Sequence, residues 1–273
     1  MDRKLINCYR KYTDLHYRKK DLVKLFFFAG FTILLIVSGT NSLDYNWQWY
    51  RVPRYIISFS DGKLIPGPLL KGLAVTLEIS AVSLFFAFAA GLVTALFRLS
   101  DSVLARFIAR VYLESVRNTP LLIQLFFIYF VLSPIFNISA FTSAVVALSL
   151  FEGAYTSEII RAGIMSVPGG QWEAALSLGM GPGTIYTKII FPQAIRQMLP
   201  MLVNQSVSLV KDSSLVSTIA IYDLTMKGQE IVADTFLSFE IWFTVALVYL
   251  AVTGFLSWAA LIVEKKYVIG RKN

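Results

Sequence analysis

The chain has 273 residues, of which 56% are hydrophobic and 14% aromatic, with only 15% charged and a mean hydropathy of +0.63. A soluble domain carries roughly 45–50% apolar and about 25% charged residues, so the composition excludes that class and points to an integral membrane protein. The net charge of +8 falls in short clusters between apolar runs, with no basic face interleaved with aromatics, which argues against nucleic acid as a partner.

A basic arm, 1–21, opens the chain with Arg3, Lys4, Arg10, Lys11, Arg18, Lys19 and Lys20. It also holds the single cysteine, Cys8, and the single histidine, His16. No intrachain disulfide is therefore possible, and no zinc cluster of cysteine and histidine exists. The apolar run 22–38 reads as a retained anchor rather than a cleaved leader. Its basic approach is longer than a signal peptide's, and no clear small-x-small site follows. An outer loop, 39–66, is rich in Tyr45, Trp47, Trp49, Tyr50 and Tyr55, rings suited to the headgroup level of a bilayer.

Crossing roughly 30 Å of hydrocarbon takes about 20 helical residues. Six segments meet that demand: Leu22–Ser38, Leu69–Phe97, Leu113–Leu132, Ile138–Ile164, Met198–Ile221 and Phe239–Val263. An even count returns both termini to one side. Basic residues gather on that side, at Arg98, Arg106, Arg110, Lys188, Arg196, Lys265, Lys266, Arg271 and Lys272, so the positive-inside rule makes it cytoplasmic. The expected organisation is arm 1–21, anchor 22–38, periplasmic loop 39–66, an all-α membrane domain 67–267 with a long inner loop at 166–198, and a cytoplasmic tail 268–273.

The fourth and fifth segments are more than anchors. The fourth carries Glu152, Glu158 and Arg161; the fifth carries Asn204, Ser208, Lys211 and Asp212. A charge at the bilayer centre costs about 2.5–3.5 kcal/mol on insertion scales, so such groups turn toward protein or water. A water-lined translocation path is one reading of these residues, and snorkelling from helix ends is the other. Glu114 and Arg117, like Glu158 and Arg161, are spaced to share a helix face and serve either as self-neutralising pairs or as contacts along the path. Asn118-Thr119-Pro120 marks a bend or a helix start, since proline is tolerated in a first turn.

In the loop 166–198, Pro168-Gly169-Gly170 halts the chain and Gln171–Gly179 resumes with helical composition. Trp172, Ala175, Leu176 and Gly179 fall on one narrow face. An anchor residue among small neighbours suits a groove on another protein; a helix lying on the membrane surface would look similar.

Glu173-Ala174-Ala175, then Gly179, Ile190 and Pro192, match the spacing of the EAA motif of ABC importer permeases. Arg117–Leu125, Gly153–Gly163, Lys211-Asp212-Ser213-Ser214-Leu215 and Asp223-Leu224 resemble the corresponding runs of the polar amino acid branch. The resemblance extends from about Gly67 to Lys265. It implies a type I importer permease fold of about six helices, a five-helix core plus one, with a cytoplasmic coupling helix. It also implies a transporter subunit rather than an enzyme, placed in the bacterial inner membrane with both termini cytoplasmic. The implied partners are a cytosolic ABC ATPase dimer, a second permease subunit, identical or not, a periplasmic amino-acid-binding protein and membrane lipid. Trp172, Glu173, Ala174, Ala175, Leu176 and Gly179 become the ATPase-coupling residues. The chain holds no G-x-x-x-x-G-K-[ST] loop, so ATP and magnesium belong to a partner and this chain carries no cofactor. Two rival readings are an intramembrane hydrolase built on Lys211 with Ser208, Ser213 or Ser214, and a structural membrane scaffold.

Overall fold

The computed structural model describes residues 45–60 and 62–267 together with part of the 21–38 segment. The chain divides into two units, 1–48 and 49–273, and every element below belongs to the second. The expected tail, nearly all of the expected arm and part of the expected anchor lie outside the described residues.

A 3₁₀ turn at Trp49–Arg51 and a helical turn at Pro53–Ile56 lead into an antiparallel hairpin, β1 (Ile57–Ser60) and β2 (Lys63–Pro66). Pro66-Gly67-Pro68 then launches α1 (Pro68–Leu99), with proline in its first turn where a missing N–H costs nothing. α1 is mostly apolar, with Lys71, Glu78 and Arg98 its charged residues, yet its buried stripe is small: Gly72, Thr76, Ser80, Ser83, Ala87, Gly91 and Ala95 recur every three or four residues. Small residues allow close helix approach where lipid offers no hydrophobic drive for association.

α2 (Val103–Arg117) begins at Ser102, whose hydroxyl accepts the Ala105 N–H. A break of 104° separates it from α3 (Leu121–Phe126), which continues through a π-helical stretch, Phe127–Leu132, to Phe136. The expected third segment, Leu113–Leu132, is therefore not one straight span. Pro120 disfavours the helical conformation of the residue before it, and the chain turns at Asn118–Pro120.

α4 (Ala140–Met165), capped by the Ser139 hydroxyl on the Thr142 N–H, is the central helix. It is buried on more than one side, packing along α1 and against α6 (Phe191–Asp212). Between them lie α5 (Gly169–Ser177), a short helix Pro182–Ile185 and a π-helical stretch Tyr186–Ile190. α6 starts seven residues before the expected Met198, because Pro192 occupies its first turn instead of breaking it. A 3₁₀ helix, Ser213–Ile219, follows α6, so the helix itself stops short of the expected Ile221. α7 (Leu224–Thr235) is capped by Asp223, and α8 (Ser238–Tyr267) completes the bundle.

Among the described residues, α1 and α8 are long and apolar enough to cross a membrane alone, and the bent α2–α3 pair makes a third span if taken together. α4 and α6, at 26 and 22 residues, reach the required length at about 1.5 Å per residue. Their polar residues set them apart from lipid-facing helices: Ser149, Glu152, Thr156 and Ser157 of α4 are buried in the bundle, while Asn204 and Lys211 of α6 stay exposed.

Candidate functional site

α5 is held to the bundle by its own side chains. Ala175 is 1% exposed and joins Ile164, Val167, Ile185, Ile190, Ala194 and Met198 in one core cluster. Trp172 packs against that cluster, its ring meeting Tyr186 at 5.2 Å. The helix ends on Gly179, at φ +74°, the left-handed conformation in which a side chain is strained. Its N–H bonds to the Leu176 carbonyl at 2.9 Å, and the Met180 N–H to the Ala175 carbonyl at 3.1 Å.

Of the expected contact face, Trp172, Ala175, Leu176 and Gly179, only part turns outward. Trp172 and Ala175 point into this chain, and Gly179 serves as the helix stop. The outward surface consists of Glu173, Ala174, Leu176 and Leu178, the last 80% exposed. Periodicity identifies a face; it does not say which side of the helix the rest of the chain will cover.

The eight expected pathway residues separate into two groups. In the first, Glu158 receives three guanidinium groups: Arg98 at 2.6 Å, Arg117 at 3.2 Å and Arg161 at 3.4 Å. Arg117 also lies over the Tyr155 ring at 5.8 Å. Glu114 accepts from the Asn118 amide at 2.9 Å. Both expected pairs thus meet beside one cavity of about 270 Å³ between α1, α2 and α4, which Arg106 and Arg110 also line. Arg98 belongs to this group although sequence spacing gave it no partner, since α1 and α4 join only in the fold.

The second group lies on α6. Gln205, Ser208 and Asp212 share a face at helical spacing, and Asn204 and Lys211, both exposed, share the neighbouring one. The Gln205 amide donates to Glu152 Oε2, and Asp212 lies on the same face of α6 as Gln205. Glu152 is 1% exposed, and its Oε1 is buried without a hydrogen-bond partner. Glu152 and Gln205, which were not among the eight expected residues, complete this site; the signal was an acid at the middle of a largely apolar helix. Arg161, nine residues from Glu152 at about 100° per residue, faces the opposite side of α4.

A Ser–Lys dyad finds no support at Ser213. Ser213 is fully buried and its hydroxyl donates to the Val210 carbonyl at 2.8 Å.

The sequence profile of the family described as binding-protein-dependent transport system inner membrane component matches residues 87–269. The chain belongs to that family. Members of this inner-membrane component family are transporter subunits rather than enzymes. Among its relatives, the glutamine transport system permease protein of Escherichia coli (strain K12) is 39% identical over 204 residues, 74% of this chain and 93% of the relative. The L-cystine transport system permease protein of Bacillus subtilis (strain 168) is 42% identical over 205 residues, 73% of this chain and 86% of the relative. A crystal structure of an amino acid ABC transporter with histidines aligns with a TM-score of 0.69 at 37% identity, covering 73% of this chain and 94% of that one. The inward-facing MetNI methionine ABC transporter aligns at 0.62 with 20% identity, over 73% and 96%, and supports the fold alone. The described bundle is the type I importer permease fold.

Proposed function

We propose that this inner-membrane component is the permease subunit of an importer that carries polar L-amino acids from periplasm to cytoplasm. The observation that carries the substrate class is the alignment over 94% of an amino acid ABC transporter chain at 37% identity. The relatives named for glutamine and cystine agree with it. A separate cytosolic ATPase dimer, holding ATP and magnesium, drives the cycle by docking on the outward face of α5. A second permease subunit completes the pathway, a periplasmic binding protein delivers the cargo, and both termini lie in the cytoplasm.

Substrate contact falls on the accessible flank of α6, at exposed Asn204 and Lys211 and half-buried Ser208 and Asp212, with Gln205 and Glu152 behind. Polar groups on a membrane helix belong where protein or water receives them, and Asn204 and Lys211 are left open in the single chain for a partner across the pathway. Both signs of charge are present, matching the ammonium and carboxylate common to every amino acid.

The test is ATP-dependent uptake in liposomes holding the chain with its ATPase and binding protein, against a panel of amino acids. Polar members should accumulate; uptake of none of them overturns the substrate class. Lys211→Ala and Asn204→Ala should lower uptake while the binding protein's own affinity is unchanged. Normal uptake in both would remove α6 from the pathway.

A further inference from the structure

The arginine-lined cavity between α1, α2 and α4 has a charge imbalance that its own residues do not resolve. Five arginines and two glutamates surround about 270 Å³, roughly the share of nine liquid waters. Glu158 is already divided among Arg98, Arg117 and Arg161, and Glu114 is engaged by Asn118. The surplus is three positive charges, and Arg161 Nε is buried there without a hydrogen-bond partner. Like charges crowded this closely need a counter-anion. Guanidinium forks match the oxygens of a phosphate group, which accepts paired N–H bonds.

α2 indicates where that phosphate comes from. Arg106 and Arg110 follow one another along a turn of the helix, and Val103, Phe107 and Val111 form a parallel stripe one residue, about 100°, further round. Phe107 is 63% exposed and Val103 74%. A basic stripe beside an apolar one, on a helix set at 104° to its successor, is the pattern of a helix lying at a lipid headgroup boundary. A soluble phosphate ion has no use for the apolar stripe, whereas a phospholipid occupies both.

We propose that this cavity is a binding site for the phosphate of an anionic phospholipid, with Arg106 and Arg110 as its entrance and the Val103–Phe107–Val111 stripe under the acyl chains. The site lies across α4 from Glu152 and is independent of substrate contact on α6.

The test uses the full-length chain, purified in detergent and delipidated, then titrated with phosphatidylglycerol or phosphatidylcholine and read by native mass spectrometry. The wild type should retain phosphatidylglycerol in preference. At about a fivefold loss for each basic residue near the surface, Arg106→Gln with Arg110→Gln should weaken that retention roughly thirtyfold. The charge-conserving pair Arg106→Lys with Arg110→Lys should keep part of it and controls for folding. Equal retention by wild type and the glutamine pair, or equal retention of the two lipids, overturns the proposal. Displacement by millimolar inorganic phosphate with no lipid preference overturns the lipid source, and displacement by free amino acids would assign the cavity to cargo instead.

Discussion

Trp172 on α5 meets Tyr186 edge to face, with ring centroids 5.2 Å apart and planes at 68°. Tyr186 in turn lies 5.7 Å from Phe191, the first residue of α6. This line of rings, beside buried Ala175, is a rigid route from the loop helix into the membrane bundle. An edge-to-face pair is worth about 0.5–1.5 kcal/mol beyond area burial. Trp172→Ala should therefore loosen α5 from α6 while leaving the outward face in place. The expected result is ATPase that still co-purifies but no longer drives uptake at the wild-type rate. Loss of co-purification with uptake loss would show instead that Trp172 contacts the partner.

The outward face gives the complementary expectation. Glu173, Leu176 and Leu178 are exposed and touch little of this chain. Glu173→Lys combined with Leu176→Ser should leave thermal stability within about 0.5 kcal/mol, as for other surface changes. A docking hot spot loses about 2 kcal/mol or more when truncated, so ATPase retention on an affinity column should drop by over tenfold. Retention at the wild-type level would move the docking surface away from α5.

These two faces show what the sequence could and could not disclose. The long apolar runs of α1 and α8 are legible because about 20 apolar residues are needed to span hydrocarbon whatever the tertiary context. The turn at Pro120 is legible because the clash before proline is local. The start of α6 is not, since Pro192 reads equally as a helix stop or a first-turn residue. Nor is the inward rotation of Trp172, which depends on Tyr186 and Ile185 arriving from beyond a glycine turn. The contact of Glu152 with Gln205 joins residues 53 apart in sequence, and only the packing of α4 against α6 creates it.

The α1–α4 contact rests on two glycines facing each other's helix. A Cβ on Gly91 would lie 2.7 Å from Thr156 Cβ, and one on Gly153 3.0 Å from both Ala90 Cβ and Tyr112 Oη. Tyr112 is itself fixed by its hydroxyl on the Leu150 carbonyl. Gly91→Val should force the helices apart, an overpacking cost of about 1–3 kcal/mol, seen as a lower unfolding midpoint in detergent. Gly254→Ala, where a Cβ meets nothing within 4 Å, should be neutral or slightly stabilising. Equal behaviour of the two variants would mean that α1 and α4 do not pack this closely.

Asp223 carries the pH expectation. Its Oδ1 accepts the Met226 N–H at 2.8 Å as the cap of α7, and Oδ2 faces the Tyr249 hydroxyl at 3.4 Å. Burial pushes its carboxyl up from 3.8 to about 6, with the Met226 N–H limiting the rise. An acid whose folded-state pKa is raised holds its proton more tightly when folded, so its contribution is full below about pH 4 and is lost as pH climbs through about 6. At one pKa unit per 1.36 kcal/mol the swing approaches about 3 kcal/mol. Asp223→Asn retains a capping oxygen and removes the titration. The stability of this variant minus that of the wild type should therefore grow between pH 4 and pH 7, measured by thermal unfolding at matched ionic strength. A difference constant over that range would place an unburdened carboxylate at the head of α7 and remove the pH dependence assigned to it.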